Sequence, residues 1–190
     1  MVYQSISVAL SLCSIQVSDS TAFGNGGTSA AAIVTSSSDS SCFDPTTNVQ
    51  PDFVYSIDPA NQIVQCATTR LFWQPDAVQG TPTFYAVIPG GQSFQVPQGP
   101  LSSVPTQGQG FNWTANVAAG TTLMLGAGDN RGLNSGGSVT FIVQSGQFPS
   151  TDCLNSTSPS STPGNPAGGS YPTNTDGAGV GGGSGGGGGR

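Results

Sequence analysis

Phe111-Asn112-Trp113-Thr114-Ala115-Asn116-Val117 decides the fold class. In an extended chain successive side chains point to opposite faces. Phe111, Trp113, Ala115 and Val117 therefore share an apolar face, and Asn112, Thr114 and Asn116 share a polar one. Working outward, Thr121 to Leu125 and Ser138 to Val143 read as the strands that follow. Phe53 to Ile57, Thr69 to Trp73 and Thr83 to Ile88 read as those that precede. Gly80-Thr81-Pro82, Gly90-Gly91, Ala119-Gly120 and Asp129-Asn130-Arg131-Gly132 punctuate them with turn residues. Gly90 to Gly110 reads as loop with one short edge strand at Phe94-Gln95-Val96, because Pro97, Pro100 and Pro105 exclude a central strand. Short strands at this spacing predict an all-β fold, an Ig-like antiparallel β-sandwich.

Composition agrees. The 190 residues include nine acidic side chains, all Asp, and three basic ones, Arg70, Arg131 and Arg190; there is no Glu, Lys or His. Glu and Lys are the residues that usually fill exposed helix faces, so their absence favours strands and turns. A net charge of −6 with scattered arginines disfavours nucleic acid, which needs clustered cations. No stretch approaches the roughly 18 consecutive apolar residues of a membrane helix. With no His and no CxxC, no zinc site is expected, and the glycines of the tail lack the lysine of a phosphate loop. No cofactor is expected.

Four cysteines stand at 13, 42, 66 and 153. An even count in a Ser/Thr-rich chain suggests disulfides in an oxidising compartment. The sequons Asn112-Trp113-Thr114 and Asn155-Ser156-Thr157 fit the same compartment, and the strand pattern puts Asn112 on the polar face, open to a glycan.

The chain divides at composition changes. Residues 53–153 hold one complete sandwich, and 46–52 form a polar, Pro-containing linker. Residues 154–190 read as a disordered Ser/Thr/Pro-rich and then Gly-rich stalk. For 1–13 two readings stand: the apolar run Ile6 to Cys13 as a leader, or a strand of the mature protein. An internal repeat favours the strand. Asp19 to Thr28 and Asp129 to Ser138 both run Asp, six residues, Gly-Gly and a hydroxyl residue. Ile33-Val34 answers Ile142-Val143, Cys42 answers Cys153, and Cys13, Ile15 and Val17 fall where Leu123, Leu125 and Ala127 fall. Residues 1–45 thus read as the last two strands of a first sandwich copy.

Cys66 precedes the second strand of the complete copy and Cys153 follows its last, so a Cys66–Cys153 bond is expected to close the sandwich. Cys13 and Cys42 lie at one end of the first hairpin, which suits a mutual bond. The repeat instead aligns Cys42 with Cys153, whose partner would be a counterpart of Cys66.

Catalytic signals are weak. General acid–base work needs paired carboxylates, whereas these Asp residues sit in turns or beside proline. Asp129-Asn130-Arg131-Gly132 has too few oxygen ligands for a calcium loop and reads as a hairpin turn. No GxSxG and no histidine support a serine nucleophile. Phe72, Trp73, Phe84, Tyr85, Phe111 and Trp113 offer aromatic faces for sugar stacking, but strand phase assigns Trp73 and Trp113 to the core. Tyr85, opposite in phase to Phe84 and carrying a hydroxyl, is the candidate carbohydrate contact.

Val64-Gln65-Cys66 leading to Trp73, Gly80-Thr81-Pro82 with Tyr85, Val87 to Gln92, Trp113-Thr114, Ala119-Gly120-Thr121, Asp129 and Cys153 together resemble fungal secreted and surface proteins. In that family Ig-like sandwiches precede a Ser/Thr/Gly-rich stalk. It is distantly similar to the Ser/Thr-rich GPI-anchored membrane family and to yeast cell-wall β-glucan assembly proteins. The resemblance covers residues 50–153, with 13–42 as a partial copy. It departs from the pattern where Gln74 to Gln79 separate Trp73 from Gly80. It implies a non-enzymatic extracellular module at the cell surface or cell wall that contacts wall polysaccharide, and it carries no catalytic residue. The rivals are a secreted carbohydrate-active enzyme and a purely structural spacer.

Overall fold

The computed structural model describes residues 12–18, 23–24, 27–35, 38–39, 41 and 50–160. Its strands are β1 (Leu12–Cys13), β2 (Ala32–Ile33), β3 (Tyr55–Asp58), β4 (Thr68–Trp73), β5 (Thr83–Val87), β6 (Ser93–Gln95), β7 (Ser102–Val104), β8 (Gly108–Thr114), β9 (Thr122–Gly128) and β10 (Ser138–Ile142). One turn of 3₁₀ helix at Pro75–Ala77 is the only helical element among the described residues, and none of them forms a helix able to cross a membrane. β3-β4-β8-β7 and β10-β9-β5-β6 form two four-stranded sheets, antiparallel throughout, and β1-β2 form a separate hairpin. The all-β fold read from the strand pattern is the fold observed.

Strand alternation builds the core. Leu71 and Trp73 of β4, Phe111 and Trp113 of β8, Phe84 and Ala86 of β5, and Leu123, Leu125 and Ala127 of β9 are each at most 3% exposed. Phe84 joins the two sheets: its ring lies 5.1 Å from Tyr55, 5.7 Å from Trp73 and 5.6 Å from Phe111, all on the opposite layer. The Tyr55 and Phe111 contacts are edge-to-face, an arrangement that adds about 0.5–1.5 kcal/mol each beyond area burial. Tyr55 also crosses the core with its hydroxyl, which donates to the Leu125 carbonyl at 2.6 Å. Burial pushes the Tyr55 phenol well above its usual range.

β9 departs from alternation, since Gly126 and Gly128 are buried on the face turned away from the core. There the chain leading to β10 folds back over them. A Cβ at Gly128 would stand 2.5 Å from the Gly132 carbonyl oxygen, and one at Gly126 would stand 2.9 Å from Asn134 Oδ1. The two glycines make room for that return.

The segment 90–110 contains more strand than its prolines suggested. The edge strand read at 94–96 pairs over Ser93–Gln95, and β7 adds a second edge between Pro100 and Pro105. Arg70 secures β7 by reaching across β8 to the Ser102 hydroxyl at 2.6 Å and the Ser102 carbonyl at 2.9 Å. Residues 154–160, read from sequence as the start of the stalk, belong to the described residues. Ser160 exchanges hydrogen bonds with Gln92, its carbonyl accepting from the Gln92 N–H and its N–H donating to Gln92 Oε1, both at 3.0 Å. Residues 161–190 lie outside the described residues.

Candidate functional site

Cys66 and Cys153 form the expected disulfide, with Cα atoms 5.3 Å apart. It fastens the segment after β10 to the turn before β4, where Gln65 N–H donates to the Gln144 carbonyl and Cys66 N–H to the Ala115 carbonyl. Cys13 is exposed and free among the described residues; Cys42, its suggested partner, lies outside them. Asn112 is exposed on the outer face of β8, opposite Arg70. Asn155 is exposed as well, its side-chain oxygen accepting from the Thr157 N–H and hydroxyl. Trp73 and Trp113 lie in the core at 1% and 3% exposure.

Tyr85 emerges half-buried on the outer face of β5, opposite in phase to buried Phe84. It is not open to solvent as an isolated platform, because Phe23 from the β1–β2 hairpin lies against it with ring centroids 4.5 Å apart. The hairpin is pinned there through the β5–β6 turn. Gly90 N–H donates to the Ser29 carbonyl at 2.8 Å, and Gly91 N–H donates to Thr28 Oγ1 at 3.1 Å. The Thr28 hydroxyl points back at the Ile88 and Gly91 carbonyls, 2.8 and 2.7 Å away.

Between hairpin and sheet runs a cleft of about 160 Å³. Tyr85, Val87, Met124 and Gly126 floor it. Ser14, Gln16 and Phe23 form one wall, and Leu133, Asn134 and Ser138 form the other. Its lining is aromatic and aliphatic with amide and hydroxyl groups at the rim, and none of these residues is charged. A second hollow of about 420 Å³ opens on the far side of Phe23, beside Gln92, Ser93 and Thr157. Phe23 was not among the residues singled out from sequence. Its role depends on a contact with Tyr85 across 62 residues (85−23), for which no local pattern gives a signal.

Two of the described acids, Asp129 and Asp58, serve the scaffold. The Asp129 side chain has no solvent exposure and pairs with Arg131. It also accepts from Gln79 N–H at 2.8 Å, Arg131 N–H at 2.9 Å and Ser135 Oγ at 3.0 Å. The Arg131 guanidinium, then this set of donors, holds the Asp129 carboxyl well below the usual carboxylate range, against the opposing effect of desolvation. Arg131 in turn donates to the Ala77 carbonyl at 2.9 Å and lies 5.6 Å from the Phe53 ring centroid. Asp129 and Arg131 thereby tie the β9–β10 connection to the segments entering β5 and β3. Asp58 accepts from Gln107 Nε2 at 2.9 Å. No group of three or more metal-ligating side chains occurs among the described residues.

Comparison of the chain with known proteins finds no matching family model, no matching curated protein and no matching solved structure.

Proposed function

We propose that this chain is a non-enzymatic extracellular module whose Tyr85 cleft contacts a neutral polysaccharide of the cell surface or wall. The observation that carries this reading is the cleft itself. Two aromatic rings, Tyr85 and Phe23, stand among uncharged amides and hydroxyls. Aromatic faces suit the apolar faces of pyranose rings, and neutral hydrogen-bonding groups suit their hydroxyls. A ligand bearing phosphate or carboxylate would find no cation there. The Asp129 carboxylate, outside the cleft, is committed to Arg131, Gln79 and Ser135. On this reading the sandwich is of the Ig-like type, secreted, glycosylated at Asn112 and Asn155, and related to the fungal surface proteins it resembles.

Retention of the secreted chain on insoluble β-glucan, chitin and mannan tests the proposal. Binding to one of them is expected, and Tyr85→Ser and Phe23→Ser are each expected to reduce it by roughly tenfold, a loss of about 1.4 kcal/mol. No retention on any of the three removes the polysaccharide reading and leaves a spacer. Release of reducing sugar replaces it with an enzyme.

A further inference from the structure

Phe23 is a wall with a hollow on either side. It closes the Tyr85 cleft of about 160 Å³ on one side and bounds the second hollow of about 420 Å³ on the other. The residue is half-buried, so part of it stays at the surface between the two. The cleft alone falls short of the roughly 300–1,000 Å³ of pockets that enclose a drug-sized ligand, and the two hollows together come within that range.

The second hollow is built from three segments that other contacts hold in place. The hairpin supplies Phe23, Gly24 and Gly27. A Cβ at Gly24 would stand 2.5 Å from Ser93 Oγ, whereas one at Gly27 would meet nothing within 4 Å. The hairpin is thus closed on β6 at Gly24 and leaves open space at Gly27. The sheet supplies Gln92 and Phe94, whose ring lies 6.4 Å from that of core Trp113. The segment after the disulfide supplies Thr157 and Pro159, and the hydrogen bonds exchanged between Gln92 and Ser160 fasten that segment to the sheet.

The chemistry of this hollow repeats that of the cleft. Phe23 and Phe94 give it aromatic surface, Pro159 gives it aliphatic surface, and no lining residue is charged. Gln92 Oε1 accepts from Ser160 N–H, which fixes the amide and leaves Nε2 to donate. Thr157 Oγ1 donates to Asn155 Oδ1 at 2.6 Å and keeps its lone pairs for an incoming hydroxyl.

We infer that the two hollows are neighbouring subsites for one neutral glycan chain, which passes over the exposed part of Phe23 from the Tyr85 cleft into the second hollow. This rests on the polysaccharide reading of the cleft and adds that the site takes linked sugars rather than a single ring. A polymer presents successive rings bearing like hydroxyls, and two adjoining hollows of like chemistry suit it. A single small solute fills one hollow and gains nothing from the other. Once one ring is seated, the next binds intramolecularly, so affinity rises with chain length.

Calorimetric titration of the deglycosylated chain with the monosaccharide, trisaccharide and hexasaccharide of β-glucan, chitin and mannan tests the inference. Deglycosylation keeps any glycan on Asn155, whose side chain bonds that of Thr157, from competing for the hollow. The hexasaccharide of the polymer that binds is expected to be held about tenfold tighter than its monosaccharide, or more. Gln92→Ala with Pro159→Ala, and separately Thr157→Ala, are expected to lose most of that gain and to leave the monosaccharide affinity unchanged, because none of the three lines the cleft. Unchanged fluorescence of Trp73 and Trp113 reports that the variants stay folded. Equal affinity at every length overturns the inference and leaves the Tyr85 cleft as a single-sugar site, and a gain with length that survives in all these variants overturns it too. Absence of binding by every sugar removes the polysaccharide reading itself, and the second subsite with it.

Discussion

Removing the Cys66–Cys153 bond, through Cys66→Ala with Cys153→Ala, is expected to cost this domain a large part of its stability. The bond closes a loop of 87 residues, nearly the whole of the sandwich. Chain-entropy arithmetic, −2.1 − 1.5R ln n with n of 87, gives about 15 cal/mol/K, or about 4.6 kcal/mol at 25 °C. Domains of this size have about 5–15 kcal/mol in total. Native contacts bridge the same place without the bond, since Gln65 and Gln144 stay paired through the backbone. The sandwich is therefore expected to remain folded but marginal. Urea unfolding followed by the fluorescence of Trp73 and Trp113 reads the loss. With a slope of about 1.5 kcal/mol/M, the midpoint is expected to fall by about 3 M. A fall of less than about 0.5 M, with the slope unchanged, would refute the reasoning, because it would mean the unfolded chain gains almost no freedom when the link is cut.

Other expectations follow from the core and the Asp129 network. Phe84→Ala, which removes the ring that joins both sheets, is expected to cost about 3–5 kcal/mol in thermal unfolding, whereas Phe72→Ala on the outer face of β4 is expected to cost well under half of that. Tyr55→Phe keeps the packing and loses one hydrogen bond, for about 1 kcal/mol at neutral pH. The folded Tyr55 phenol is raised, so its contribution is complete below the unfolded value of about 10 and is lost as pH rises beyond it. Tyr55→Phe is therefore expected to flatten the alkaline limb of a stability–pH profile, and an unchanged limb would count against the buried phenol. The Asp129 carboxyl is lowered, so its contribution is complete above the unfolded value of about 3.9 and is lost as pH falls through the folded one. Asp129→Asn is expected to lower stability at pH 7 and to remove part of the acid-side slope, measured by denaturant midpoints between pH 5 and 2.

The sequence by itself determined the layers of this protein. In Phe111 to Val117 the alternation that buries Trp113 and exposes Asn112 is a property of the extended backbone, and it holds wherever the strand lies. The same local logic gave the turn at Asp129, the edge character of β6 and the phase of Tyr85 against Phe84. The placement of Cys66 before β4 and Cys153 after β10 was enough to pair them. Tertiary structure decided what local rules do not encode. β7 is three residues between prolines, and it is a strand because β8 offers it a free edge and Arg70 holds it from two strands away. The strand read over Thr121 to Leu125 runs on through Gly126 and Gly128, where the chain returns over β9. The cleft arises because Thr28 and Ser29 seat the hairpin on the Ile88–Gly91 turn and bring Phe23 onto Tyr85. Contacts of that kind depend on two surfaces meeting across the chain. Alternation reports which face of a strand is apolar, but not which surface will cover it.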